Sequence, residues 1–334
     1  MMNVSSLRAS ALALLLAIPA LHAAERKKVV AYVPNWINLT EFAKGVDYAK
    51  VTHLNIAFEN PKDDTGELSF NPRNQALIDA AKAAKVKVLV SIGGGGASDN
   101  AELKARYEKL TGEEGRKAFA AKLVAYLEAH GLDGIDVDIE GPSITSNYGG
   151  FMEELSKAVR AKKLLLTAAL SKGYGGDRVP DAVLGQLDFL NIMAYDATGT
   201  WDPNRHGQHS SLEFATQAVA YWTGRGLPKE NAVLGVPFYG YGFGKAFRKS
   251  GYSYADVIEL FPEGHLVDQI GETIWYNGIP TIQAKAKLVM DQKLGGVMIW
   301  SLDQDVKGEK SLLTALDVVL NPPKKKEEAA PAKK

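Results

Sequence analysis

Between residues 25 and 320 the chain alternates short, nearly uninterrupted apolar runs with longer stretches in which apolar residues recur at helical spacing. Eight of the short runs have the length and composition of strands: Val29–Pro34, His53–Phe58, Val86–Ile92, Gly134–Glu140, Leu164–Leu170, Phe189–Tyr195, Ala232–Tyr239 and Gly296–Leu302. Most are apolar throughout, the pattern of strands buried on both faces. Helix-period segments separate most of them. The clearest runs from about Gly112 to His130. Thr111 followed by Glu114 reads as a capping box at its start, and Gly131 as the residue just past its end. Buried strands alternating with helices specify a parallel sheet with helices packed outside it. Eight such units in roughly 300 residues match a (β/α)8 TIM barrel. A doubly wound open sheet is the alternative, disfavoured because no Gly-x-Gly-x-x-Gly turn follows the first strand. No linker interrupts 25–320, so the stretch reads as a single domain.

The two ends have different patterns. Residues 1–24 read as a secretory signal: Arg8 is followed by the apolar run Ala11–Leu21, then by the small residues Ala23 and Ala24. The run is too short to span a bilayer, so the chain is expected to be secreted, extracellular or periplasmic, with no transmembrane segment. Residues 321–334, rich in Lys, Ala and Pro, lack an apolar period and read as a disordered tail. Lys+Arg and Asp+Glu both number 39, so the net charge is zero and nucleic acid is not an expected partner. The chain contains no cysteine, which excludes disulfides, thiolate metal sites and a thiol nucleophile. No cofactor is expected, and the chain reads as a monomer.

Chemistry concentrates in Asp133-Gly-Ile-Asp136-Val-Asp138-Ile-Glu140. In a strand, alternate side chains share a face, so Asp136, Asp138 and Glu140 point one way and Ile135, Val137 and Ile139 the other. Stacked carboxylates disfavour one another's ionised forms, so at least one pKa must rise, as a general acid near neutral pH requires. A calcium-binding or merely solvated acidic strand is the bland alternative. Asp133 lies off the acid face by parity and reads as a turn or structural residue. In a barrel, the chemistry sits at the carboxyl ends of the strands. Those ends carry Tyr32 and Trp36, Ser91-Ile-Gly-Gly-Gly-Gly96, Asn191-Ile-Met193-Ala-Tyr195-Asp196 and Met298-Ile-Trp300-Ser301. Ser91 and its glycines also suit a tight strand-to-loop turn, the reading favoured for Gly95 and Gly96. His206 and His209 lack the spacing of a metal pair and read as part of a solvated loop; no metal site is expected.

These motifs, in this order and across almost the whole of 25–320, resemble family 18 of the glycoside hydrolases, the family of many chitinases. The carrying residues are Ser91-Ile-Gly-Gly94, Asp133-x-x-Asp136-x-Asp138-x-Glu140, Met193-x-Tyr195-Asp196 and Gly296-Val-Met-Ile-Trp300. The resemblance implies retaining, substrate-assisted hydrolysis of β-1,4 bonds next to N-acetylglucosamine, through an oxazolinium ion formed by the substrate's own acetamide. It implies Glu140 as the acid and later the base, and Asp138 as the acceptor of the acetamide N–H. Asp136 shares a proton with Asp138, supported by Tyr32 and Ser91, and Tyr195 positions the acetamide carbonyl. By the same resemblance Asp196 and Met193 contact the sugar, Trp300 forms its floor, and Trp201 lines the leaving-group side. The implied partner is an N-acetylglucosamine-containing oligo- or polysaccharide. An endo-β-N-acetylglucosaminidase acting on N-glycans or peptidoglycan fragments, and a non-catalytic chitinase-like lectin, are the other readings.

The chain departs from the family pattern in three places. Only about forty residues are left for a loop between the seventh strand and a helix near Thr281–Lys293, so the α+β insertion of many relatives is expected to be absent or reduced. Tyr241 stands where relatives often carry Arg. Gly95-Gly96-Ala97 stands in place of tryptophans, and no long aromatic track is evident.

Overall fold

The computed structural model describes residues 26–322. The predicted signal at 1–24 and all but the first two residues of the predicted tail at 321–334 lie outside the described residues. Eight parallel strands form a closed barrel: β1 (Lys28–Pro34), β2 (His53–Ala57), β3 (Lys87–Gly93), β4 (Gly134–Asp138), β5 (Leu165–Leu170), β6 (Phe189–Ile192), β7 (Ala232–Pro237) and, after an insertion, β12 (Gly296–Trp300). Strand order around the barrel follows the chain, and β12 closes it by pairing with both β7 and β1. Each of the eight runs read from the apolar pattern is a strand, with ends shifted by up to three residues.

Side-chain parity divides the core in two. Outward residues such as Ile135, Val137 and Ile139 join a continuous apolar layer with the surrounding helices. The inward cluster contains Val30, Tyr32, Phe189, Met193, Tyr195, Val233 and Met298. The helices are α1 (Leu39–Lys44), α2 (Asn74–Ala83), α3 (Gly95–Asp99), α4 (Ala101–Thr111), α5 (Arg116–His130), α6 (Tyr148–Arg160), α7 (Leu212–Gly224), α8 (Tyr254–Leu260), α9 (Ile279–Asp291) and α10 (Leu312–Leu320). Between β5 and β6 only short 3₁₀ turns occur, at Gly176–Arg178 and Asp181–Gln186.

The capping box expected at Thr111 and Glu114 does not form. Thr111 is the last residue of α4, its hydroxyl donates to the carbonyl of Tyr107, and α5 begins only after Gly115. A hydroxyl near a helix end can bond back to its own helix as readily as forward to the next, which is why the motif misled. Gly131 does end α5, in the left-handed conformation. The insertion after β7 is reduced, not absent. Strands β8 (Tyr239–Gly242), β9 (Tyr252–Ser253), β10 (Gln269–Ile270) and β11 (Ile274–Trp275) form a small sheet beside α8. Ser253 and Asp256 form the capping box of that helix.

Candidate active site

The acidic ladder occupies the inner face of β4, in register with its neighbours. Ser91 on β3 and Thr167 on β5 lie level with Asp136, and Gly93 lies level with Asp138. Asp136 is fully buried and saturated. One oxygen accepts from the Tyr32 hydroxyl at 2.6 Å and the Ser91 hydroxyl at 2.7 Å. The other accepts from Thr167 at 2.6 Å and the Asn191 amide at 3.1 Å. Burial raises the Asp136 carboxyl above its usual range, and these four hydrogen bonds oppose the rise. Oxygens so enclosed by donors have no free lone pairs for calcium, which takes six to eight oxygen ligands.

Asp138 is buried too, yet one of its oxygens has no hydrogen-bond partner. Burial, then the charges of Glu140 and Asp136, push it well above the ordinary carboxyl range. No hydrogen bond joins Asp136 to Asp138 in this arrangement, so the proton sharing expected between them has no direct bond to run through. Glu140, two residues past the end of β4, is in extended conformation at the barrel mouth. Burial, and then Asp196 and Asp99, raise its carboxyl to about 7. The three acids thus run from a saturated, fully buried carboxyl to a largely buried acid at the lip.

The turn after β3 packs tightly against the end of the acid strand, where the Gly94 N–H donates to the Asp138 carbonyl at 2.7 Å. Gly93 and Gly94 adopt φ of +100° and +75°. A side chain at Gly93 would meet the Asp138 backbone at 2.3 Å, and one at Gly94 the Phe58 ring at 2.4 Å. Gly95 and Gly96, expected to make this turn, instead open α3 with empty space beside them. The turn also ties α3 to the acid strand, because the Ser98 hydroxyl donates to the Glu140 carbonyl at 2.8 Å.

Two strands round the barrel from β4, the sheet pairing of β6 ends at Ile192, and Met193 to Asp196 continue beyond it. Met193 and Tyr195 are buried in the inward cluster. The Tyr195 hydroxyl has only the Met298 sulfur, at 3.7 Å, as a partner. Burial and four carboxylates, Asp138 first, push its pKa well up, so it remains a hydrogen-bond donor. Asp196 has a left-handed backbone, φ +61°. One of its oxygens accepts from Tyr239 at 2.5 Å and from Tyr241 at 3.0 Å. His209 is fully buried, not solvated. Its Nδ1 accepts the Asp196 backbone N–H at 3.4 Å and its Nε2–H donates to the Tyr239 carbonyl at 3.2 Å. His206 is exposed, as expected.

Aromatic rings line the cleft. Trp300 lies half-buried over the barrel interior, stacked on Phe58 at 5.7 Å and tilted against Tyr32 at 5.5 Å. Trp36 and Trp201 are 63% and 61% exposed, and the Trp201 ring lies close against Gly199. Trp201 meets Tyr241 edge-on at 5.5 Å. Asp133 binds the Lys87 ammonium at 2.7 Å and the Val88 N–H at 2.9 Å, tying β3 to β4 away from the site.

The fold therefore brings Asp136, Asp138, Glu140, Tyr195, Tyr32, Ser91, Met193, Asp196 and Trp300 to one end of the barrel, with Trp201 at the rim. Sequence reasoning gave no role to Thr167, Asn191, Tyr239 or His209. Thr167 had a signal: it is the lone polar residue of an apolar strand. Asn191 had been put on the inner face by parity. His209 had none, since a long loop hides burial. Among the described residues no cluster of three or more His, Cys, Asp or Glu side chains could hold a metal ion.

The family model for glycosyl hydrolases family 18 matches residues 28–305. A class V chitinase of Arabidopsis thaliana is 30% identical, the match covering 74% of this chain and 72% of that protein. Human chitinase-3-like protein 2 is 25% identical over 91% of this chain and 92% of its own. The solved structure of the GH18 chitinase ChiB from the chitin utilization locus of Flavobacterium johnsoniae superposes with a TM-score of 0.81 at 36% identity, covering 88% of this chain and 94% of the other. A family match running from the first barrel strand past the last, with relatives aligned over most of their own length, makes this chain a member of glycosyl hydrolase family 18, a glycoside hydrolase of the chitinase type.

Proposed function

We propose that the protein is a secreted hydrolase of chitin or chito-oligosaccharides, cleaving β-1,4 bonds next to N-acetylglucosamine with retention of configuration. The observation that carries the reading is Glu140 at the mouth, raised to about 7, above an Asp138 with a buried, unpartnered oxygen. Glu140 protonates the glycosidic oxygen as the C1–O bond breaks. The substrate's acetamide carbonyl oxygen bonds to C1 from the other face, giving the oxazolinium ion. Asp138 accepts the acetamide N–H, and the positive charge growing there favours its ionised form against burial. Tyr195, whose hydroxyl has no stronger acceptor than a thioether, holds the acetamide in line for attack. Water then adds to C1, Glu140 takes its proton, and the ring reopens to the acetamide. Asp196 bonds the distorted sugar and Trp300 supports its apolar face. Chitinases carrying (GlcNAc)3, such as that of Cycas revoluta, share the fold at 24% identity and a TM-score of 0.76. The apolar run and small residues at 11–24 support secretion.

The test is mass-resolved product analysis of the purified protein on chitohexaose and a high-mannose N-glycopeptide, with Glu140→Gln as control. Dimers and trimers from chitohexaose, absent with the variant, are the expected result. Cleavage of the glycopeptide alone would move the activity to N-glycans. Turnover of neither would overturn the reading in favour of a sugar-binding protein.

A further inference from the structure

Tyr195 and Asp196 lie on backbone that no barrel ladder holds, because strand pairing on both sides of β6 ends at Ile192. Met193 N–H still reaches the Leu170 carbonyl at 3.0 Å. From Ala194 onward the restraint comes from the loop that folds back from residue 209. The Ser210 hydroxyl donates to the Ala194 carbonyl at 2.7 Å. The Ala197 N–H donates to the His209 carbonyl at 3.0 Å. A loop can only hold a catalytic segment as firmly as it is itself held.

The loop is held by His209 on the Tyr239 carbonyl, by Gln208 on the Tyr276 carbonyl at 2.6 Å and, at Ser210, by a lysine. Lys285, in the middle of α9, is 0% exposed. Its ammonium donates to the Ser210 carbonyl at 2.7 Å, the Ser210 hydroxyl at 2.6 Å and the Asn277 side-chain oxygen at 2.7 Å. Asn277, at the end of the insertion, closes the triangle by donating to the Ser210 carbonyl at 3.0 Å. An ammonium has three donors, and all three are used. No carboxylate lies within ion-pair distance; Asp268, the nearest influence, is spent on the Gly278 N–H and the Thr281 hydroxyl at the start of α9. Burial pulls the Lys285 pKa down to about 7; while the group is protonated the Ser210 oxygen accepts from a cation, and its own proton is polarised toward Ala194. A buried charge without a counter-ion is costly, and a neutral residue could fill the volume. The arrangement makes sense as a clamp.

We propose that Lys285 is a positioning residue for catalysis, fixing the Tyr195–Asp196 segment through the relay Lys285 Nζ to Ser210 Oγ to the Ala194 carbonyl. The inference rests on the proposed roles of Tyr195 and Asp196. The relay also joins the insertion to the barrel at the point where Tyr239 and Tyr241 reach Asp196, so one group aligns both halves of that subsite.

The experiment compares the full-length parent with Lys285→Met, Ser210→Ala and the double variant on chitohexaose, with hydrogen exchange of residues 193–198 as a second readout. Each single variant is expected to lower kcat about tenfold with KM within about threefold, as misplacement of a positioning group does. The double variant is expected to lose no more than the worse single one, because both break the same relay. Exchange at 193–198 is expected to rise in every variant. Folded variants with kcat within twofold of the parent and unchanged exchange would overturn the proposal, whatever their melting temperature. Should Lys285→Met fail to fold, Ser210→Ala decides alone. A parent inactive on chitohexaose would instead count against the substrate reading, while the exchange data still judge the relay.

Discussion

The two walls of the site are built by opposite means. The acid wall, β4, sits within the sheet: ladder register sets Ser91, Asp136 and Thr167 level, and four donors fix Asp136. The second wall, Met193 to Asp196, begins where β6 leaves the sheet and is held by a loop, a buried histidine and a small inserted sheet. The acid wall stores an electrostatic problem, three largely buried carboxylates close together, and so requires rigid backbone. The second wall must fit a sugar, and its contacts come from segments free to vary without disturbing the barrel. Energetic faults are therefore expected to show as stability or acid–base changes on the first wall, and as substrate selectivity on the second.

The largest effect tests the acid wall. Glu140→Gln is expected to reduce hydrolysis about 10³-fold or more while raising the melting temperature at pH 8. The sign follows from the raised pKa. A carboxyl shifted from 4.5 to about 7 in the folded state costs stability as pH climbs through that window, because the native state resists ionisation. Removing it abolishes the cost at pH 8 and changes little at pH 4; a lower melting temperature at pH 8 would contradict this. The same shift predicts that kcat/KM of the parent falls as pH rises through about 7, since the acid must be protonated, and a rate profile flat to pH 9 would argue against Glu140 as the donor.

Next in size, Thr167→Val leaves Asp136 with a single donor on one oxygen. It is expected to cost about 2 kcal/mol, or about 5 °C in Tm, with product pattern unchanged. On the second wall, Tyr241→Phe removes one of two hydroxyls from Asp196. A loss in kcat/KM of about fivefold is expected without a change in thermal stability, in line with one hydrogen bond of about 1 kcal/mol; a Tm drop would show that Tyr241 braces the fold. The smallest effect is that of Trp201→Ala, with KM for chitohexaose up about threefold and that for a trimer unchanged. Equal losses for both lengths would remove Trp201 from the outer subsite.

The two walls also differed in how far they could be read in advance. The acid face of β4 was legible because strand parity is a local rule and Asp, Val and Ile alternate without a break. The same rule put Asn191, Met193 and Tyr195 on one face. Tyr241 was noted only for the arginine it replaces. Its bond to Asp196, 45 residues away in sequence, depends on how the insertion folds over the barrel. The expected solvated loop around His209 failed for the same reason: nothing local marks a loop residue that another element will cover. The Thr111 capping motif failed because two helices compete for one hydroxyl.

The sequence by itself determined the barrel, the order of its strands, the family and the identity and facing of the carboxylates, because apolar periodicity and side-chain alternation act between residues close along the chain. Only the tertiary structure decided which donors saturate Asp136, how far Glu140 is raised, where Tyr239, Tyr241 and His209 meet Asp196, and that Lys285 is buried against Ser210. Those depend on desolvation and on contacts between segments tens of residues apart, and no spacing along the chain encodes either one.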